Sequence, residues 1–444
     1  MFSLAPRCRA STQWTLVLAM CAGSLAQAAE SIVATVPPAV TAANTGWNLS
    51  ELAQQLVSNN PQLQAARHAA RATRLGVQPA QAPDNPMIGI AQDPVHRNPL
   101  ALNTSEGASW SVLQNLYWPG KKSLAGQIVS DQASAAEAQA DSLQSQLLGQ
   151  LRTAWLTWQT TQYQLQLTQT QLARLDQIKQ ITKVRYAQNT TAFADYINAQ
   201  VTQEQMRTTL LTTQMQADTV MAQIAALVGH PTDSALPLKI EPLKDQQHVP
   251  TLESFRENAL RRNPQLKATE ANVLAAQHGV DLANLSSRPD FNVMLTGHSA
   301  SPPWGLANTP TYAVAVGMTV PLWYSQKEKL LLDQAKAQLA SAQENNESQK
   351  QQILLAVHSA WLQWTQSLEQ LRLVENSLLA QARTAYRLAL ANYSTGQVPY
   401  VDVLNAFNTE RSVELTALQA RSGALAARVA LDAAVGEIDL PAVP

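Results

Sequence analysis

The sequence predicts a mainly α-helical fold with a small β part, made of two tandem copies of one structural unit. Three observations support this prediction. Short motifs recur in the same order roughly 200 residues apart, four segments alternate between apolar and small or polar residues, and each copy contains a long heptad-patterned stretch. Only 16 of the 444 residues are glycine, which favours long helices over a loop-rich fold.

The first residues have the layout of a secretory signal peptide. Arg7 and Arg9 give a basic start, an apolar run follows at 14–25, and a small-residue cleavage site ends at Ala28. We expect cleavage after Ala28 and export of the mature chain. Because the apolar run is shorter than the roughly 20 residues of a membrane-spanning helix, we expect any membrane contact to be made by strands.

Both cysteines lie inside this predicted signal peptide. Cleavage would remove Cys8 and Cys21, so we expect a mature chain without thiols or disulfides. An alternative interpretation is a lipoprotein signal, in which Cys21 would be acylated and become the first residue. Met20 is bulkier than the small residue that normally precedes such a cysteine, which favours the first interpretation.

Composition and motifs argue against several classes of function. The net charge is -1 and 14% of the residues are charged, so the chain lacks a basic surface for nucleic acid. The seven histidines include no H-x-x-x-H pair, and there is no G-x-S-x-G, P-loop or dinucleotide motif. We therefore predict that the chain is not an enzyme and has no cofactor or metal site.

The two copies match motif by motif. The sequence Asn-Pro-Gln-Leu at 60–63 returns at 263–266, and later pairs keep the same order, among them Trp158 with Trp364 and Asp195 with Asp402. A proline-containing connection separates the copies. The predicted boundaries are an N-terminal extended segment at 29–47, a first repeat at 48–230, a linker at 231–250, a second repeat at 251–437 and a tail at 438–444.

Each repeat is predicted to begin with a helix and continue with two strands. These strands lie near 86–94 and 107–118 in the first copy and near 290–299 and 311–321 in the second. An ordinary soluble hairpin is the alternative, but aromatic residues near the strand ends favour a lipid-facing sheet. These are Trp110, Tyr117, Trp118, Trp304, Tyr312, Trp323 and Tyr324.

Four strands cannot close a wall in lipid, because open edges would leave backbone groups unpaired. The chain is therefore predicted to assemble, with two copies as the geometric minimum and three copies giving twelve strands.

A very long helix and a shorter returning helix complete each repeat. No proline occurs from Lys121 to about Ala187, and apolar residues recur every seven positions, with Gln162 and Gln169 between them. A dry core would exclude such glutamines, whereas a tube wall that touches water accepts them. We interpret the tryptophans of this pattern, Trp158 and Trp364, as packing anchors.

With this arrangement of repeats, strands and helices, the sequence resembles the outer-membrane efflux protein family typified by TolC. Three motifs are most similar to the CzcC-type heavy-metal efflux branch: the Asn-Pro-Gln-Leu start, the strand-to-helix motif at 118–124 and the motif at 83–87. The resemblance implies four transmembrane β-strands and a long α-helical coiled-coil tunnel per chain, closed by trimerisation into a twelve-stranded barrel. It also implies a passive exit duct in the Gram-negative outer membrane that extends into the periplasm. The implied partners are a periplasmic adaptor (membrane fusion) protein and an inner-membrane pump of the resistance-nodulation-division type.

The resemblance places the two helix reversals, at 186–194 and 393–401, at a periplasmic tip that contacts the adaptor. Gly396 fits the family's turn glycine, whereas the first copy has Asn189, which tolerates left-handed backbone. The predicted adaptor contacts are Asn189, Thr190, Thr191, Gly396, Gln397 and Val398.

Charged residues beside these reversals are candidates for an aperture. Asp195 and Asp402 open the returning helices, where a carboxylate is favoured by the helix dipole alone. The sharper hypothesis is that they line or latch the aperture together with Arg185, which stands where the second copy has Asn392.

Two other functions are compatible with an exported, helix-rich chain. One is a periplasmic coiled-coil adaptor or scaffold, which the double strand pair disfavours. The other is a protein-secretion duct of the same fold. Metal, drug and protein cargoes all stay open, because a water-filled duct contacts its cargo loosely.

Overall fold

The computed structural model describes residues 46–95, 105–243, 250–299 and 311–436. The first copy contains α1 (Leu49–Asn59), α2 (Pro61–Leu75), α3 (Val77–Gln81), β1 (Met87–Val95), β2 (Ser105–Leu116), α4 (Lys121–Ala187) and α5 (Phe193–Leu227). The second contains α6 (Leu252–Arg262), α7 (Pro264–Leu285), β3 (Phe291–Ser299), β4 (Thr311–Met318), α8 (Glu328–Leu373), α9 (Leu379–Ser394) and α10 (Tyr400–Val435).

The predicted fold class, mainly helical with a small antiparallel sheet, is confirmed. In the described ranges, none of the helices has an apolar stretch long enough to cross a bilayer. Ala28, Cys8, Cys21, Trp304 and the predicted tail lie outside the described residues.

The repeated Asn-Pro-Gln-Leu motif starts a helix in each copy. Asn60 caps α2 by accepting a hydrogen bond from the Leu63 N–H at 3.0 Å, and Asn263 caps α7 in the same way. The two asparagine amides also donate to carbonyls at the ends of the returning helices, Asn60 to Leu227 at 2.9 Å and Asn263 to Ala434 at 3.1 Å. The motif therefore joins the two ends of its own copy.

The four strands form one antiparallel sheet in the order β1-β2-β3-β4. Its register aligns Ile88, Val112, Leu295 and Val314 across all four strands on one face. Ile88 is 76% exposed and Val314 is 70% exposed, so this apolar face is uncovered within one chain. The opposite face is mixed, because it carries the small or polar residues Ser111, Thr296 and Ala313 together with Leu113 and Met294.

The long helices are held by tryptophan-centred cores. Trp155 and Trp158 of α4 stack with ring centroids 5.5 Å apart, in a cluster that includes side chains of α1 and α5. Trp364 of α8 is 1% exposed and packs edge-on against Phe255 of α6. The tryptophans therefore act as packing anchors, as the heptad pattern predicts.

The connection between the copies is bound to α4. The Gln159 amide donates to the Lys239 carbonyl at 2.7 Å, and the Tyr163 hydroxyl donates to the Glu241 carbonyl at 3.0 Å. Gln159 is 1% exposed. This polar residue of the helix therefore contacts backbone rather than water.

A π-helical turn, Val374–Leu378, joins α8 to α9. The offset between the copies grows by one residue between the pair Trp158 and Trp364 and the pair Asp195 and Asp402. A π-turn accommodates one extra residue without ending a helix. The turn thus absorbs the extra residue of the second copy.

Candidate functional site

The two helix reversals of one chain lie side by side. The helices α4, α5, α9 and α10 converge there on a shared core, which we call the tip cluster. Its buried members come from both copies: Leu175, Ile178, Ala199, Met206, Tyr386, Tyr393, Tyr400, Val403 and Phe407. The tip is therefore a single packed unit rather than two separate hairpins.

Both reversals use the same turn. Asn189 has a φ of 57° and Gly396 has a φ of 84°, so each turn places one residue in the left-handed region. The Thr190 N–H donates to the Arg185 carbonyl, and the Gln397 N–H donates to the Asn392 carbonyl, both at 2.9 Å. Asn189 thus takes the left-handed conformation that Gly396 takes in the second copy.

Arg185 connects the first reversal to the second. Its guanidinium carbon lies 4.6 Å from the centroid of the Tyr393 ring, and its Nη1 donates to the Tyr393 carbonyl. Its Nη2 donates to the Thr190 carbonyl at 3.2 Å. The Tyr393 hydroxyl is hydrogen-bonded to the Thr182 hydroxyl at 2.9 Å, so both ends of this buried tyrosine are held by α4.

The two candidate aspartates lie in the first turns of the returning helices. Asp195 accepts a hydrogen bond from the Thr191 hydroxyl at 2.6 Å, whereas Asp402 is exposed. Within the described chain, neither aspartate forms an ion pair with Arg185. The structure thus brings all three residues to the tip but joins none of them directly.

Most of the predicted adaptor contacts are accessible. Asn189, Thr190, Gly396 and Gln397 are exposed and Thr191 is half-buried, while Val398 packs against the tip cluster.

An exposed aromatic pair beside these residues was not predicted from the sequence. Tyr186 and Phe193 lie 5.3 Å apart by ring centroid and are 42% and 54% exposed. When the two copies are aligned, Tyr186 and Phe193 correspond to Tyr393 and Tyr400, which are buried. A comparison of the two copies could therefore have identified the exposed pair.

A buried charged cluster lies above the tip, between the two copies. Arg174 of α4 lies 3.0 Å from Glu410 and 3.4 Å from Glu414, both on α10, and Gln171 donates to Glu414 at 3.2 Å. Burial raises the pKa of Glu410 above its usual range, against the opposing effect of Arg174. The cluster links the long helix of one copy to the returning helix of the other.

Aromatic side chains occupy both ends of the apolar sheet face. Trp110 and Tyr312 lie 6.3 Å apart at one end, where a side chain at Gly297 would overlap the indole of Trp110. At the other end, Trp118 stacks on Phe291 at 6.2 Å. Tyr117, Trp323 and Tyr324 are exposed near this second end.

The chain matches the protein-family model described as outer membrane efflux protein, over residues 52–230 and 255–437. A similar curated protein is the outer membrane efflux protein BepC of Brucella suis biovar 1 (strain 1330), at 25% identity over 207 residues. That alignment covers 46% of this chain and 45% of the relative, so it spans under half of the relative's length.

Several solved structures share the fold. The channel CusC aligns with a TM-score of 0.75 at 16% identity, covering 89% of this chain and 95% of that chain. The outer membrane protein VceC of Vibrio cholerae aligns at 0.74 and 16%, covering 87% and 96%. The open MtrE channel of Neisseria gonorrhoeae aligns at 0.73 and 18%, covering 87% and 88%. At these identities the similarity shows the fold alone.

Proposed function

The chain belongs to the outer membrane efflux protein family, and we propose that three copies of it form a passive channel through which solutes leave the cell. The observation that carries this proposal is the four-stranded sheet. Its apolar face is uncovered, and β1 and β4 are its edge strands. An apolar sheet with two open edges is unstable in lipid until the edges are paired, so further copies must complete it.

The junction between the two repeats predicts the junction between chains. The pairs Ile88 with Val112 and Leu295 with Val314 are equivalent in the two copies. Within the chain, Val112 pairs with Leu295 where the first copy meets the second. The same relation between chains places Val314 opposite Ile88 of a neighbouring copy.

This register gives a direct test. The double variant I88C/V314C should form disulfide-linked oligomers up to a trimer on mild oxidation, because directly opposite strand residues have nearby Cβ atoms. The matched control is I88C/A313C, in which the two side chains lie on opposite faces of the sheet. A protein that stays monomeric and never conducts in a planar bilayer would overturn the proposal.

We assign the aperture to the tip and the adaptor contacts to its exposed turns. In a trimer, Asp195 and Asp402 would contribute six carboxylates around the channel axis, and such rings select ions by sign. The variant D195N/D402N should reduce cation preference in single-channel recordings. Unchanged conductance and selectivity would remove both residues from the aperture, and binding of a purified adaptor to tip variants tests the contacts.

The cargo proposed for this channel is heavy-metal cations, delivered by a pump of the resistance-nodulation-division type through an adaptor. The support is the similarity of the motifs at 83–87 and 118–124 to the heavy-metal branch. Cells without the gene should become sensitive to metals and recover with the intact gene. Sensitivity to drugs alone, or loss of protein secretion, would contradict this cargo, and a chain that stays soluble without detergent would favour a periplasmic scaffold.

A further inference from the structure

A cavity of about 310 Å³ lies where β4 passes into α8. It brings together the basic side chains Arg288 and Lys327, the acidic Asp290 and Glu328, and the exposed apolar residues Leu322 and Trp323. The turn before the long helix is shorter in the first copy, where two residues, Pro119 and Gly120, precede α4, whereas six residues of turn, 322–327, precede α8.

The apolar side of the cavity continues the apolar face of the sheet. Val320 and Leu322 extend the alternation of Val316 and Met318, and they are 58% and 74% exposed. Trp323 is 66% exposed beside them. If the sheet spans the bilayer, this segment lies at the boundary between acyl chains and headgroups, where tryptophan and basic residues are enriched.

The charges of the cavity are only partly neutralised. Lys121 binds both carboxylate oxygens of Asp290, at 2.9 and 3.0 Å, which removes Asp290 as a partner for other cations. In the part of the chain that the structure describes, the ammonium group of Lys327 has no ion pair or hydrogen bond, although its backbone N–H donates to the Trp323 carbonyl at 3.0 Å. Arg288 lies 5.8 Å from the Trp118 ring but faces no carboxylate there.

Glu328 lacks a hydrogen-bond donor for one of its carboxylate oxygens. Its Oε2 is closed off from solvent and accepts no hydrogen bond from the described residues. A carboxylate oxygen in this state favours a donor that enters the cavity. The cavity thus contains two cationic side chains, Arg288 and Lys327, and one unpaired acceptor, Glu328 Oε2, and it is large enough for a small polar group.

We propose that this cavity binds the phosphoethanolamine headgroup of a membrane phospholipid. The phosphate accepts hydrogen bonds from Arg288 and Lys327, the ammonium donates to Glu328, and the acyl chains run along Leu322 and Trp323. The inference rests on the proposed function, because it requires the sheet to lie in a bilayer. Three chains would carry three such sites.

Native mass spectrometry of the full protein from vesicles of equal phosphatidylethanolamine and phosphatidylglycerol tests the site. The wild-type protein should retain phosphatidylethanolamine in preference to phosphatidylglycerol. The variant E328Q should lower that preference by about tenfold without changing retention of phosphatidylglycerol, since the ammonium then faces a neutral amide instead of a carboxylate. The variant R288Q/K327Q should lower retention of both lipids, and K329Q, outside the cavity, should leave both unchanged.

Two results would overturn the site: a wild type that conducts in bilayers but shows no headgroup preference, or an unchanged lipid ratio in E328Q. Soluble phosphoethanolamine should also compete better than inorganic phosphate, and equal competition would show that only phosphate is bound and overturn the zwitterion assignment. A wild type that never enters vesicles would instead contradict the proposed function.

Discussion

The guanidinium of Arg185, at the end of α4, covers the ring of Tyr393, at the end of α9, with its carbon 4.6 Å from the ring centroid. The same side chain donates to the Tyr393 carbonyl. The second copy has Asn392 at the position of Arg185, so this contact occurs on one side of the tip only. It fixes one reversal to the other within a chain.

We predict that R185N loosens the second reversal. The variant gives the first copy the residue of the second and removes a charged hydrogen bond and a cation–π contact, which together stabilise the tip by about 1–3 kcal/mol. Amide hydrogen exchange at 393–400 should become faster. The control is R207N, which replaces an exposed arginine that pairs with Glu204 three residues away. Equal exchange in wild type and R185N would show that the contact does not hold the turn.

We predict that the two turns respond oppositely to glycine and alanine. Replacing Asn189 with glycine should be neutral or stabilising, because its φ of 57° is one that glycine adopts without strain. Replacing Gly396 with alanine should lower the free energy of unfolding by about 1–2 kcal/mol through backbone strain alone. The nearest atom to the new Cβ, Nη2 of Arg185, is 3.7 Å away, so no steric clash adds to this cost. Thermal unfolding in detergent measures both, with Q397A as the control, and a destabilised N189G would contradict the shared geometry.

Local patterns in the sequence predicted much of this fold. The alternation of Tyr312, Val314 and Val316 predicted the face on which they lie, and the recurring Asn-Pro-Gln-Leu marked the start of each unit because an asparagine before a proline caps a helix. At Asn189 the alignment with Gly396 left the turn geometry open and indicated only that asparagine tolerates the left-handed backbone that the structure has there. Each of these features depends on neighbours in the sequence.

Contacts between the copies could not be predicted in this way. Arg185 was a candidate because it breaks the symmetry of the copies, yet within the chain it binds the backbone of Tyr393 rather than an aspartate. Arg174 and Glu410 come from different copies, and neither local sequence indicates the pairing. Such partners depend on how the helices pack, which the heptad pattern leaves open.

We predict that Glu410 makes the protein less stable as the pH rises. Burial raises the pKa of Glu410, so the folded state keeps a proton that the unfolded state releases above the ordinary value of 4.5. Stability should therefore fall as the pH rises from that value to the raised pKa, by at most about 1.4 kcal/mol per pH unit.

The charged groups that act on Glu410 are Arg174, Arg383 and Arg387, which oppose the shift, and Glu414, which adds to it. Nearby Tyr386, whose pKa is raised to about 12 chiefly by burial, stays neutral in this range. Urea unfolding of wild type and E410Q between pH 4 and 7 measures the difference, with the exposed E204Q as control. A difference that does not change with pH, or that grows in favour of wild type, would contradict the prediction.

The π-turn at Val374–Leu378 should tolerate the loss of one residue. Deleting the exposed Asn376 removes the extra residue of the second copy, so α8 and α9 can join as one α-helix while both flanks keep their buried faces. Deleting the exposed Gln169, at the corresponding level of α4, instead rotates the rest of that helix by about 100° and turns Leu175 and Ile178 out of the tip cluster.

The two deletions should therefore differ in assembly as well as in stability. We expect the Asn376 deletion to form oligomers with a modest fall in melting temperature, because it loses mainly the ion pair between Glu375 and Arg421. The Gln169 deletion should fail to assemble. The variant E375Q separates loss of the ion pair from loss of the turn. If both deletions fail equally, the π-turn is a required feature of the tip rather than the place where an added residue is absorbed.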